Sequence, residues 1–159
     1  MSGIIVGETY VSYKRSERIW TAVNGTLNQA YPAGPEGKQD AWLDAIQHEN
    51  AELHKLVAKA LRKHPDWWKS YCKAATCLIN GLVHPGREAH PFEVAWIQSE
   101  SRDSEDYSLE QYNSFITCQC EGYQFKHAPQ SPRGQIYCWH VLAAIFAMKL
   151  NTITVGETY

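Results

Sequence analysis

The sequence predicts an α+β chain: an N-terminal β-meander, two helices, then a β-hairpin and a final helix around a Cys/His cluster. Three observations carry this expectation. The first third is rich in β-branched and aromatic residues interrupted by turn signals. Apolar residues then recur at helical spacing across residues 39–82. Three of the five cysteines fall in one stretch, as Cys118-x-Cys120 and Cys138-x-His140.

Along the chain, "GIIVGETYVSY" reads as a strand, "KRSE" (Lys14 to Glu17) as a turn and "RIWTAV" as the next strand. Asn24-Gly25 is a two-residue hairpin signal, so a three-stranded meander is expected to about Tyr31. "YPAGPEG" ends it. One long helix is expected from Gln39 to Lys63, with Trp42, Ile46, Leu53, Leu56, Val57, Ala60 and Leu61 on its apolar stripe. Its acids come early and its bases (Lys55, Lys59, Arg62, Lys63) late, which suits the helix dipole and also offers a phosphate-facing stripe. His64-Pro65 closes it. A second helix is expected from Asp66 to Leu82, with Trp67 on its inner stripe. "PFEVAWIQSE" reads as a strand, "SRDSED" as a polar turn and "YSLEQYNSFITC" as the return strand. The last helix begins near Cys138, stops at Asn151 and precedes strand-like "TITV". "VGETY" occurs at Val6–Tyr10 and again at Val155–Tyr159; two neighbouring strands, or a trace of duplication, would explain it.

Composition narrows the function. The 44% hydrophobic fraction, with six tryptophans, is enough for a core in a chain of 159 residues. A formal net charge of −2 is not the basic profile of a dedicated nucleic-acid binder, so such contact would need a local patch. "MSGIIVGETY" lacks a basic region ahead of a long apolar run, so no secretory signal is expected. No apolar stretch has membrane-spanning length, and no membrane partner is expected. The odd cysteine count argues against a paired disulfide scaffold and for an intracellular place, cytoplasmic or nuclear.

The cysteines and the histidine carry the chemistry. In an extended segment residues i and i+2 project to one side, so Cys118 and Cys120 can reach one ion. Cys138 and His140 converge if Cys138 precedes the first helical turn and His140 lies within it. Three thiolates and an imidazole are an accepted structural set for one zinc ion, and four ligands leave no open position for catalysis. Phosphate-loop, nucleophile-elbow, H-E-x-x-H and deaminase signatures are missing from the sequence, so no enzyme activity is expected. Cys72 and Cys77 lie about 140° apart around their helix and read as structural.

This pattern resembles the SWIM zinc finger, C-x-C, a variable loop, then C-x-H at a helix start. "AATCLINGLVHP", "FEVAWIQSE", "YNSFITCQC" and "CWHVLAAIFAMKL" resemble its surroundings. Trp139 replaces a frequent lysine, and Cys120-Glu121-Gly122-Tyr123 replaces the frequent C-P-D-F step. The resemblance covers roughly Trp67 to Leu150 and implies a ββα zinc module there, so the chain is expected to divide into the meander (1–35), the long helix (36–65), the zinc module (66–151) and a C-terminal strand (152–159). It also implies DNA binding or protein–protein contact. Lys126, His127 and Arg133 accompany one acid, Glu121, in the loop between the ligand pairs, together with Tyr123, Phe125 and Tyr137. Cations beside aromatics suit single-stranded DNA, with Lys126 and Arg133 on phosphate and Tyr123 or Phe125 on a base. The expected role is an accessory in recombination or repair; the alternative is an adaptor for a protein partner, with the aromatics covering the zinc.

Overall fold

Alternation of apolar and polar residues folds the first third into an antiparallel sheet in the computed structural model, which describes residues 3–99, 106–125 and 128–152. Strands β1 (Ile4–Val6), β2 (Thr9–Lys14), β3 (Ile19–Val23) and β4 (Asn28–Pro32) pair in chain order. Val6, Val11 and Ala22 are fully buried while Ile5, Tyr10 and Val23 are exposed, so one face makes core and the other meets solvent. The meander has four strands, not three, because Gly7 takes the left-handed conformation (φ 60°) and turns the chain between Val6 and Thr9. The first "VGETY" copy is therefore strand, turn and strand. Residues 153–159, with the second copy and most of the expected last strand, lie outside the described residues.

The Asn24-Gly25 turn also differs from expectation. Val23 faces Asn28, so residues 24–27 form a four-residue loop. It is closed by Asn24 N–H on the Leu27 carbonyl (2.8 Å) and by Leu27 N–H on the Asn24 carbonyl (3.0 Å). Asn24 is drawn inward: its amide donates to Thr9 Oγ1 (3.3 Å) and Glu49 Oε1 (3.2 Å). The same Glu49 oxygen accepts from Glu8 N–H (2.9 Å) and the Thr9 hydroxyl (2.7 Å), so one carboxylate holds both turns.

Two helices replace the expected long one: α1 (Pro35–Glu49) and α2 (Ala51–Lys63). Asn50 breaks the run with extended backbone, and its side chain accepts from Leu53 N–H at 3.0 Å as an N-cap for α2. A 3-10 turn (Pro65–Trp67) leads into α3 (Trp68–Ile79), which ends three residues before the expected Leu82. Ala41, Trp42, Ala45 and Ile46 of α1, Leu53 and Val57 of α2, and Tyr71, Cys72, Ala74 and Ala75 of α3 are buried. The Trp42 indole N–H donates to Thr76 Oγ1 at 2.8 Å, which satisfies a buried donor. Trp67 stacks on His64 (ring centroids 3.9 Å apart), and Trp68 meets Trp42 edge-on at 6.4 Å.

The chain forms two compact units, residues 1–80 and 81–159. Helix α3 contacts α1 and α2 in the first unit, whereas sequence reading grouped it with the zinc module. The second unit begins with a strand that reading missed, β5 (Val83–Pro85), followed by β6 (Glu93–Gln98), β7 (Asp106–Tyr112) and β8 (Phe115–Cys118), all antiparallel in that order. The expected return strand is two strands, since Asn113 (φ 56°) turns the chain between Tyr112 and Phe115. Most of the expected "SRDSED" turn, residues 101–105, lies outside the described residues. A short helix, α4 (Glu121–Gln124), precedes α5 (Trp139–Lys149), which contacts all four strands of this sheet. Val141, Leu142, Ala143, Ala144, Phe146 and Ala147 are buried, so α5 is apolar around most of its circumference and forms the core of the unit.

An ion pair between the buried Glu93 carboxylate and the partly exposed Arg87 closes the loop between β5 and β6. The Glu93 carboxylate accepts from Arg87 N–H (3.0 Å), Nε (2.8 Å) and Nη2 (2.6 Å), and from the Ser108 hydroxyl. Burial alone pushes this carboxyl up, but the hydrogen bonds from Arg87 and Ser108 outweigh it and hold the group down at about 2. A depressed carboxylate contributes stability above its unfolded value and loses it as pH falls through the folded one. Glu93→Gln is therefore expected to destabilise the second unit at pH 7, by on the order of 2 kcal/mol after discounting for solvent screening. Thermal melts of parent and variant should converge as pH falls from about 4.5 toward 2; a gap that stays constant would contradict the pairing.

Candidate metal centre

The ligand pairs sit where strand gives way to helix. Cys118 is the last residue of β8 and Cys120 the N-cap of α4; Cys138 is the N-cap of α5 and His140 lies in its first turn. Both caps have extended backbone, and their sulfurs accept backbone hydrogen bonds from Tyr123 N–H (3.4 Å) and Val141 N–H (3.5 Å). Free N–H groups at a helix start favour negative charge, so the head of the longer α5 helps Cys138 to ionise, against the rise that Cys120 and burial impose on its thiol.

The three sulfurs and one imidazole nitrogen all lie within 4.8 Å of one another, and all four residues are buried. Zinc bonds of about 2.0–2.3 Å place tetrahedral donors roughly 3.3–3.8 Å apart, so donors within 4.8 Å of one another are close enough to gather on a single ion. No disulfide competes, since all five cysteines are free. The donor chemistry gives an independent test of fit. Both ring nitrogens of His140 are buried and find no hydrogen-bond partner among the described residues. An imidazole in that state is costly unless a cation takes up one nitrogen.

The thiols share the same difficulty. Hydrogen bonding with Cys120, then with Cys138, and burial push the Cys118 thiol far up; bonds from Cys118 and Cys138 pull the Cys120 thiolate far down. Without a cation the buried sulfurs compete for the same protons, and a divalent cation is what lets them ionise together. The four residues form a site for one structural zinc ion, in which every ligand position is filled by protein.

The surrounding residues hold the ligands in place. The His140 ring lies 4.4 Å from that of Tyr107 and 3.7 Å from that of Trp139. Gln135, which sequence reading passed over, ties the incoming loop to β8. Its buried amide accepts from Ile116 N–H (2.8 Å) and donates to the carbonyls of Ile116 (2.8 Å) and Ile136 (2.7 Å). A side chain thereby imitates a strand partner two residues before Cys118 and three before Cys138. Nothing in the local sequence distinguishes this glutamine from an exposed one.

The remaining candidates separate. Burial, and then the charges of Cys138 and Cys118, raise the Tyr123 hydroxyl, so this half-buried ring lies near the thiolates. Phe125 and Arg133 are exposed, and Lys126 lies outside the described residues. Cys72 and Cys77 are buried on α3 outside the cluster, where burial pushes the Cys72 thiol up to about 12.

Residues 110–149 match the family model of the SWIM zinc finger, a segment that includes all four ligands. No curated protein and no solved structure gives a match to the chain.

Purified protein is expected to carry one zinc per chain by elemental analysis. Cys138→Ser should reduce that well below one, while Cys72→Ser should leave it unchanged; equal loss in both would contradict the assignment. Gln135→Ala leaves three buried backbone groups without their partner, so chelator competition should show zinc held about 10- to 100-fold more weakly.

Proposed function

We propose that the zinc finger binds nucleic acid, single-stranded DNA in preference to duplex, as a non-catalytic accessory in DNA transactions such as recombination or repair. The observation that supports this reading is Phe125. It is 64% exposed, immediately after the short helix that Cys120 caps, and is followed in the chain by Lys126 and His127. Arg133 is exposed later in the same loop. An aromatic face among cations can stack on any base while the cations meet phosphate, which gives sequence-tolerant binding. Tyr123 offers less ring for stacking, because part of it is buried beside the ligands. An intracellular location, cytoplasmic or nuclear, belongs to the same proposal, since a reducing compartment keeps the thiols as ligands. Among the described residues no helix is long and apolar enough to cross a membrane.

A second reading has its own support. Phe92 and Tyr112 stack at 5.3 Å while 58% and 45% exposed, and Phe115 is the cross-strand partner of Tyr112. An exposed aromatic patch of this kind suits a protein partner, with the zinc purely structural.

Fluorescence anisotropy with labelled single strands over a salt series distinguishes the two. Nucleic-acid binding should weaken with a shallow slope equivalent to about two to four phosphates. Phe125→Ala should cost about 1–3 kcal/mol of affinity with zinc retained. The Lys126→Ala, Arg133→Ala double variant should weaken binding and flatten the slope. Unchanged affinity in both variants would exclude the loop, and absence of binding by the parent at low salt would favour the adaptor.

A further inference from the structure

The first unit contains a cleft of about 270 Å³ whose walls include Tyr13, Trp20, Pro35, Lys38, Trp68 and Lys69. Its aromatic rings come from three places in the chain. Tyr13 and Trp20 are cross-strand partners on β2 and β3, with ring centroids 5.3 Å apart and planes inclined by 47°. Trp68 opens α3. All three are half-buried, so each keeps ring surface available to a ligand.

Both lysines of the cleft are placed over rings. Lys38 Nζ lies 5.4 Å from the centroid of Trp20 and 5.9 Å from that of the buried Trp42; Lys69 Nζ lies 5.7 Å from that of Trp68. Among the described residues the ion pairs are Lys55 with Glu52 and Arg87 with Glu93 and Asp106, and neither cleft lysine has a carboxylate. Two ammonium groups with no carboxylate at ion-pair distance among the described residues therefore stand beside half-buried aromatic rings in one concavity. Contact with a ring stabilises a cation only modestly at an exposed site, so the charge is left for an anion to neutralise.

We propose that this cleft binds a nucleotide unit, its base against the indole faces of Trp20 and Trp68 and its phosphate neutralised by Lys38 and Lys69. An anion without a ring would leave the aromatic walls unused, and an apolar ring without charge would leave the ammoniums unpaired. At about 270 Å³ the cleft lies just under the roughly 300 Å³ at which small-molecule sites generally begin, so it can cover the base and phosphate of one such unit in part and cannot enclose a longer ligand. The same chemistry is offered by a free mononucleotide and by one residue of a single strand. The site shares no residue with the zinc loop and does not depend on the reading given for that loop.

The test uses the full zinc-loaded chain and the indole N–H resonances of its tryptophans, titrated separately with adenosine monophosphate, adenosine, inorganic phosphate and a short oligodeoxyadenylate. Adenosine monophosphate is expected to shift the Trp20 and Trp68 signals saturably, with adenosine and phosphate each at least about tenfold weaker. Lys69→Glu, at an exposed side chain, should weaken the nucleotide by about tenfold while the other indole signals stay in place, and Lys38→Glu should do the same. Saturation by the oligonucleotide at far lower concentration identifies a single strand as the source; equal affinities identify the free nucleotide. The proposal is overturned if neither nucleotide nor oligonucleotide moves these two signals, or if phosphate alone binds as tightly as the nucleotide. It is also overturned if a phosphotyrosine peptide binds where nucleotides do not. Loss of DNA binding in the loop variants with these shifts intact would separate this site from the zinc finger.

Discussion

The second unit depends on bringing three thiols and an imidazole into one buried volume. With the donors within 4.8 Å of one another and two of the thiols pushed up toward neutrality, the cluster without a cation is a set of competing protons beside an unpartnered ring. A divalent ion resolves both problems together: it accepts the sulfur charge and one ring nitrogen. The end of β8, the start of α4 and the start of α5 all belong to ligand residues, so the same bonds fix how strand, loop and helix meet. Gln135 supplies the complementary restraint from the backbone side, since its amide makes the loop continuous with the sheet next to the ligands.

The distribution of charge follows from this site. Three thiolates around one divalent ion carry about one net negative charge, and they are buried. Among the described residues of the loop, Phe125 and Arg133 are exposed, so contact with an anion would fall to the loop surface and not to the ion. The chain as a whole is nearly neutral, which makes local arrangement decisive. The first unit repeats that principle with different means, using lysines held over indoles instead of a metal-pinned loop.

Much of this was legible in the sequence for identifiable reasons. The four ligands were visible because tetrahedral coordination constrains residue type and spacing together. The core helix at Trp139–Lys149 was visible because it is apolar around its axis and begins at a ligand. The breaks were harder to see. Gly7 divides a run that reads as one β-strand, and Asn113 does the same between β7 and β8; each needs only one residue in the left-handed region. Asn50 divides a run with continuous helical periodicity, since a cap acts through its backbone angles and one side-chain bond without disturbing the apolar stripe. β5, three residues ending in a proline, carries almost no periodic signal, and it exists because β6 offers a partner. Gln135 was invisible because its role is fixed by tertiary contacts alone.

The central claim is that metal ligation and the folding of the second unit are one process. Amide hydrogen exchange on the zinc-loaded protein, and again after chelation, tests it most directly. The amides of Ile116, Tyr123 and Val141, which bond to Gln135, Cys120 and Cys138, are expected to lose protection by about 100-fold or more on zinc removal. Protection at these three positions that is unchanged after the metal has been removed would contradict the account.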